Sequence, residues 1–176
     1  MVFLRTGLAA ALAAGLMATG ALAQDQSTNR VAAKTDWSVF VEDNPTECWG
    51  VSTPKESVNS RDGRVVAVNR GQTLLMVFYR PSAGASGQVA FTGGYPFASG
   101  STVTIEIAGE TYDMFTEGEW AWPATTADDS KIITAMKRGA NATVSGASSR
   151  GTKTQDTFSL LGFTAAVEDA EKRCGG

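Results

Sequence analysis

The chain reads as mainly β: a β-sandwich of short antiparallel strands with one or two short helices, closed by a disulfide. Three observations predict this. The 19 glycines fall between short runs of β-branched and aromatic residues, which is how strands separated by turns are written. Several of those runs alternate apolar and polar residues, so that one face of each can be buried. The two cysteines, Cys48 and Cys174, lie near opposite ends of the chain beyond its leader, where a single bridge closes the domain.

Trp37 to Val41 reads as the first strand, with Trp37, Val39 and Val41 on one face. Cys48 to Thr53 is the second. Arg64 to Asn69 is the third, with Val66 and Val68 on one face. Leu74 to Tyr79 is an unbroken apolar run, as expected of a central strand buried on both faces. Pro81 and the stretch Ser82 to Gly87 read as a loop, and Gln88 to Phe91 as a short strand. Thr102 to Ile107 alternates cleanly and leads through Ala108-Gly109 into Glu110 to Phe115, which predicts a hairpin. Ala142 to Ser145 and Thr157 to Leu161 complete the strands. Asp129 to Lys137 has Ile132, Ile133 and Met136 at helical spacing, with Asp128 or Asp129 as the cap and Gly139 as the stop. A last helix is expected from Ala165 to Arg173, capped by Thr164.

The first 23 residues carry the layout of a secretory signal peptide. Arg5 precedes an apolar run from Gly7 to Ala18, and Ala21-Leu22-Ala23 supplies small residues for cleavage before Gln24. The run is short against the roughly 20 apolar residues that span a bilayer. No integral membrane segment is expected after cleavage. The expected location is the periplasm or the outside of the cell, where a disulfide persists. Residues 24–35 read as a flexible leader, and residues 36–176 as a single β-sandwich domain. The alternatives to one intramolecular bridge are an intermolecular one or two free thiols.

The formal charge of −3, from 15 Lys+Arg and 18 Asp+Glu, argues against a nucleic-acid binder that tracks phosphates. The absence of histidine removes the Ser-His-Asp triad, the Cys-His pair and histidine-ligated metals. Two isolated cysteines supply too few soft ligands for a metal, so no cofactor or metal is expected. Carboxylates remain at Glu117/Glu119 and Asp128/Asp129, but sequence neighbours give no reason to face each other across a cleft, as a glycosidase requires. Asp128/Asp129 also lack the Asp-x-Asp-x-Asp-Gly pattern of a calcium loop. Trp120 and Trp122, two apart on a strand, project to one face. Buried, they are core, which is the commoner fate. Exposed, they form a stacking platform for a sugar or a partner's apolar surface. Arg150, in the turn Ser149-Arg150-Gly151-Thr152, either braces loops by bonding carbonyls or offers a guanidinium to an anion. Tyr95, after Gly93-Gly94, is the remaining binding candidate.

The chain resembles the invasion-associated locus B family of bacterial secreted or periplasmic proteins. The resemblance is carried by Cys48-Trp49, Gly94-Tyr95-Pro96-Phe97, Ala121-Trp122 and Ala135-Met136-Lys137-Arg138-Gly139. It continues through Ser149-Arg150-Gly151-Thr152, Asp156-Thr157-Phe158-Ser159-Leu160 and Gly162-Phe163-Thr164-Ala165-Ala166 to Cys174. It implies a small envelope β-sandwich with its cysteines bonded, and in some members an association with host-cell entry. It supplies no catalytic residues and no cofactor. The expected function is that of a non-enzymatic envelope protein with an envelope or host protein partner. The alternatives are a carbohydrate- or small-ligand-binding module and a carboxylate-dependent hydrolase.

Overall fold

A computed structural model describes residues 28–174. The signal-peptide reading and residues 24–27 of the leader lie outside the described residues. The strands are β1 (Arg30–Lys34), β2 (Trp37–Asp43), β3 (Thr46–Ser52), β4 (Glu56–Arg61), β5 (Arg64–Val65), β6 (Leu74–Arg80), β7 (Ala85–Thr92), β8 (Thr102–Ile107), β9 (Glu110–Glu117), β10 (Trp120–Trp122), β11 (Asn141–Ala147) and β12 (Lys153–Ser159). The helices are α1 (Thr126–Arg138) and α2 (Phe163–Cys174). Among the described residues the strands form one 12-stranded antiparallel sheet, ordered β1-β2-β3-β6-β7-β10-β9-β8-β11-β12-β4-β5.

The sandwich arises because this sheet folds over itself. Trp37 Nε1, on β2, donates to the Ser159 carbonyl at the end of β12, 2.9 Å away. Phe91 on β7 meets Phe158 on β12 edge-to-face at 6.2 Å. Strands far apart in the sheet order thus face each other across one core, with β10 as the short link between the layers. Leu75, Val77, Val103, Ile105, Met114 and Val144 fill that core from both sides and are fully buried. β6 is the central strand the sequence predicts, with Leu75 through Tyr79 all buried. Its alternate residues Met76 and Phe78 point away from the main core, into a second small cluster with Ala90.

Both helices pack on the inner side of the sheet. Ala166 and Val167 of α2 lie over Gly50 of β3. Phe163 meets Trp37 edge-on at 4.8 Å. At its far end Cys174 bonds Cys48 on β3, as the sequence predicts, with a Cα–Cα distance of 5.8 Å. The helix begins two residues before the predicted Ala165, because Gly162 sets its start. Gly162 has φ +89°, and a Cβ there would lie 1.8 Å from the Lys34 carbonyl oxygen. Gly162→Ala therefore forces β1 and α2 apart, and an expected loss of at least about 2 kcal/mol should appear as a lower urea midpoint.

α1 is capped by Thr125, not by Asp128 or Asp129. Thr125 holds extended backbone, and its Oγ1 accepts from the Asp128 N–H. Its hydroxyl also donates to Asp128 Oδ2 at 2.7 Å, so the cap sits one turn earlier than predicted. Asp129 is buried instead, and its Oδ1 accepts the Val89 N–H of β7 at 2.8 Å. Ile132 and Met136 are buried as expected, and the Gly139 N–H ends the helix on the Ala135 carbonyl. Burial pushes the Asp129 carboxyl above its ordinary value, opposed by the Val89 N–H. A carboxyl raised on folding contributes stability that is present below its unfolded pKa and lost as pH rises through the folded one. Asp129→Asn keeps an acceptor for Val89. Relative to wild type it should gain melting temperature as pH rises above the ordinary aspartate value; a constant difference would contradict this.

Several predicted boundaries are corrected. Part of the expected flexible leader is strand β1, which pairs with β2 from Arg30↔Phe40 to Lys34↔Trp37. Backbone pairing needs no apolar side chains, and an edge strand is commonly polar. Its Ala32 packs on the core, and Lys34 meets Asp169 of α2 at 3.2 Å. The predicted strand Arg64–Asn69 shrinks to Arg64–Val65, whose Val65 is 78% exposed. Its polar neighbour Glu56–Arg61 is the longer strand. β7 begins inside the predicted loop, because a bulge at Gly87, with φ +84°, carries the Gly/Ser stretch into the ladder. β12 starts four residues before the predicted Thr157, since polar Thr154 and Asp156 occupy its inward face beside Phe158.

Candidate functional site

The outer side of the β2–β3–β6–β7–β10 layer carries an aromatic surface. Ala121 is fully buried, so Trp120 and Trp122 on either side of it face outward. The commoner, core reading of this pair is corrected for Trp120, which is 36% exposed, whereas Trp122 is half-buried against the Met76, Phe78 and Ala90 cluster. Their rings stack at 6.2 Å with 19° between planes. Phe115, opposite Trp122 on β9, adds a contact at 5.7 Å and is itself 50% exposed.

A second aromatic row crosses β2, β3 and β6 on the same outer side. Phe40 pairs with Trp49 and Trp49 with Phe78 across the ladders. Their ring centroids are 5.5 and 5.9 Å apart. Arg80 lies 4.0 Å above the Phe78 ring, and its Nε meets Glu47 at 3.2 Å. Phe40, Trp49, Met76, Phe78 and Trp120 share a depression of about 610 Å³. Isolated exposed apolar residues need no explanation, whereas exposed Phe115 and Trp120 continuing into half-buried Trp122, Trp49 and Phe40 mark a place of contact.

A smaller, polar cavity of about 440 Å³ lies beside it, and Gly94 borders both. Gly94 has φ +70°, and its carbonyl accepts the Gly71 N–H at 2.8 Å. A Cβ on Gly94 would come within 2.5 Å of the Gly71 backbone, so this close crossing of two loops depends on glycine. Tyr95 and Arg150, both predicted as binding candidates, line this cavity together with Arg61 and Arg70.

Arg70 is the brace of the region. Its guanidinium engages both carboxylate oxygens of Asp156, Nη1 reaching Oδ2 at 3.0 Å, and Asp156 is 0% exposed. The Ser57 hydroxyl donates to Asp156 Oδ1 at 2.6 Å and accepts from Arg70 at 3.0 Å. The hydrogen bond to Asp156 holds the Arg70 guanidinium above its usual, already high, pKa. Tyr95 packs 5.8 Å from Arg70, and its hydroxyl bonds the Thr154 hydroxyl. Burial pushes the Tyr95 phenol up.

Arg61 donates to the Thr152 hydroxyl at 2.7 Å. Arg150 stands exposed on a turn tied by Ser148 N–H to Thr152 carbonyl and Gly151 N–H to Ser148 carbonyl. The Ser149 N–H reaches the Pro96 carbonyl and so locks that turn to the Tyr95 loop. Loop bracing, one reading of Arg150, falls to Arg70 instead. Glu117 and Glu119 flank Gly118 at the exposed β9–β10 turn, while Asp128 and Asp129 are engaged at the start of α1. Among the described residues no three His, Cys, Asp or Glu side chains are grouped to hold a metal. No described helix is long and apolar enough to cross a membrane.

Arg70, Asp156 and the Phe40–Trp49–Phe78 row are absent from the sequence-based candidates. Of these, Trp49 and Asp156 carried a signal, since both lie in segments that bear the family resemblance.

The chain covers 95% of a solved structure titled invasion associated protein B from Bartonella henselae, and the match takes in 80% of this chain. The TM-score is 0.55 and the identity 12%, so the likeness concerns the fold alone. No curated protein matches the chain. The family model for invasion associated locus B protein matches residues 37–171, from β2 into the last turns of α2. This span includes both surfaces just described, and the chain belongs to the invasion associated locus B family.

Proposed function

We propose that this protein is an exported, non-enzymatic envelope protein that acts by binding another protein or an envelope component. The observation that carries the reading is the outer aromatic surface, with Phe115 and Trp120 exposed on a rigid sheet. Aromatic anchors on a fixed scaffold bind with little loss of side-chain freedom. The signal-like leader supports the periplasm or the outside of the cell as the place of action. The family name and the Bartonella protein's title support a connection with invasion. The test is crosslinking in the producing cell, comparing wild type with a Phe115→Ser/Trp120→Ser variant. Phe115 is 50% and Trp120 36% exposed, so the variant should stay folded with a modest loss of melting temperature from its contacts with Trp122, while losing its crosslinked partner. A partner retained in full by the variant would remove this surface from the function.

A second reading is favoured by one observation. Trp120 and Trp122 lie within 19° of parallel, which suits stacking against a sugar ring. Titration with envelope glycan fragments, followed by tryptophan fluorescence, distinguishes it from a protein-binding role.

A further inference from the structure

We propose that the cavity between Tyr95, Arg61 and Arg150 is a binding site for a phosphate group. Three arginines line it, Arg61, Arg70 and Arg150, and no carboxylate does. Asp156, the partner of Arg70, is fully buried and is consumed by Arg70 and Ser57. Arg70 therefore contributes a neutralised floor. Arg61 makes a single hydrogen bond, to a neutral hydroxyl, and no ion pair among the described residues. Arg150 makes neither a hydrogen bond nor an ion pair among the described residues.

A chain with an isoelectric point near 5.0 thus holds two uncompensated guanidiniums in one concave site. Like charges gathered this way repel each other unless an anion joins them. The site is also prebuilt. The Ser148–Thr152 turn that presents Arg150 is closed on itself and bonded to Pro96, and Arg61 is held on β4 by Thr152. Arg61 and Arg150 come from separate elements. A tetrahedral phosphate offers enough oxygens for two guanidinium forks at once, whereas a carboxylate offers two oxygens in one plane. The Tyr95 ring and Pro96 supply an apolar wall, which suits a phosphate carried on an organic body. The cavity adjoins the aromatic depression at Gly94 but shares none of its aromatic side chains, so its ligand is testable whatever partner that surface binds.

The experiment is calorimetric titration of the mature chain at about 0.15 M salt. The probes are inorganic phosphate, glycerol 3-phosphate, acetate, and vesicles with and without phosphatidic acid. Saturable binding of at least one phosphate probe is expected, weakened at least about tenfold by Arg150→Ala and by Arg61→Ala. Both residues are exposed, so both variants should keep the wild-type melting temperature. Lys172→Ala, an exposed cation on α2, should bind as wild type does. Binding by the soluble phosphates assigns a free phosphate ligand, and binding only by phosphatidic acid vesicles assigns a lipid headgroup. Acetate binding as tightly as phosphate, equal binding by Arg150→Ala, or no saturable binding by any phosphate probe would overturn the proposal.

Discussion

Reduction of the Cys48–Cys174 bond lowers the melting temperature by roughly 10 °C, and Cys174→Ser behaves like the reduced wild type. The bond closes a loop of 126 residues, for which the chain-entropy relation gives about 5 kcal/mol, with measured losses commonly about 2–5 kcal/mol. It also has a particular place. It clamps the C-terminal end of α2 to β3, while the start of that helix is set by Gly162 against β1. Once it is reduced, α2 keeps only packing and surface pairs such as Lys34–Asp169. The inner face of β2 and β3 should then open first. Hydrogen exchange should show protection lost in α2 and β1 before β8, β9 and β11. Melting unchanged after complete reduction would contradict this.

Removing Arg70 has an effect of similar size and a different cause. Arg70→Met leaves Asp156 buried and without its cation, which costs about 3–5 kcal/mol. Replacing both members of such a pair by apolar residues removes the stranded charge. The Arg70→Met/Asp156→Leu double variant should therefore recover most of that loss in urea unfolding at neutral pH. Losses that simply add would show that the two side chains act independently. The pair also shapes the phosphate cavity, because Arg70 supports Tyr95 and Asp156 anchors β12 beneath it.

Much of this fold is legible in the sequence, and the exceptions share a cause. β8 matches its predicted bounds because Val103, Ile105 and Ile107 mark the inward face without competition. β12 does not, because Thr154 and Asp156 use the same inward positions with polar side chains. Burial of a polar side chain depends on partners such as Arg70 that lie 86 residues away, and local spacing carries no trace of them. β1 escaped for the opposite reason, since its pairing is made by backbone alone.

The tryptophans teach the same lesson at the site. Alternation places Trp120 and Trp122 on one face but leaves open which face is buried. Ala121, small enough to meet the core of the folded-over sheet, decides it. The outer row of Phe40, Trp49 and Phe78 is likewise assembled by strand pairing between three separate segments. Tyr95 and Arg150 are readable one at a time, and bonds between their loops, Ser149 N–H to the Pro96 carbonyl and Ala98 N–H to the Ala147 carbonyl, bring them to one cavity.

If the protein works by contact through its outer aromatic surface, that surface touches its partner in the cell. The direct measurement is site-specific photo-crosslinking in the producing cell, with the photoreactive residue at position 115 or 120 and, as a control, at position 172 on α2. The expected result is one reproducible adduct at 115 and 120 that is missing at 172. Adducts equally frequent at all three positions, or none above background at 115 and 120, would rule out this role for the surface.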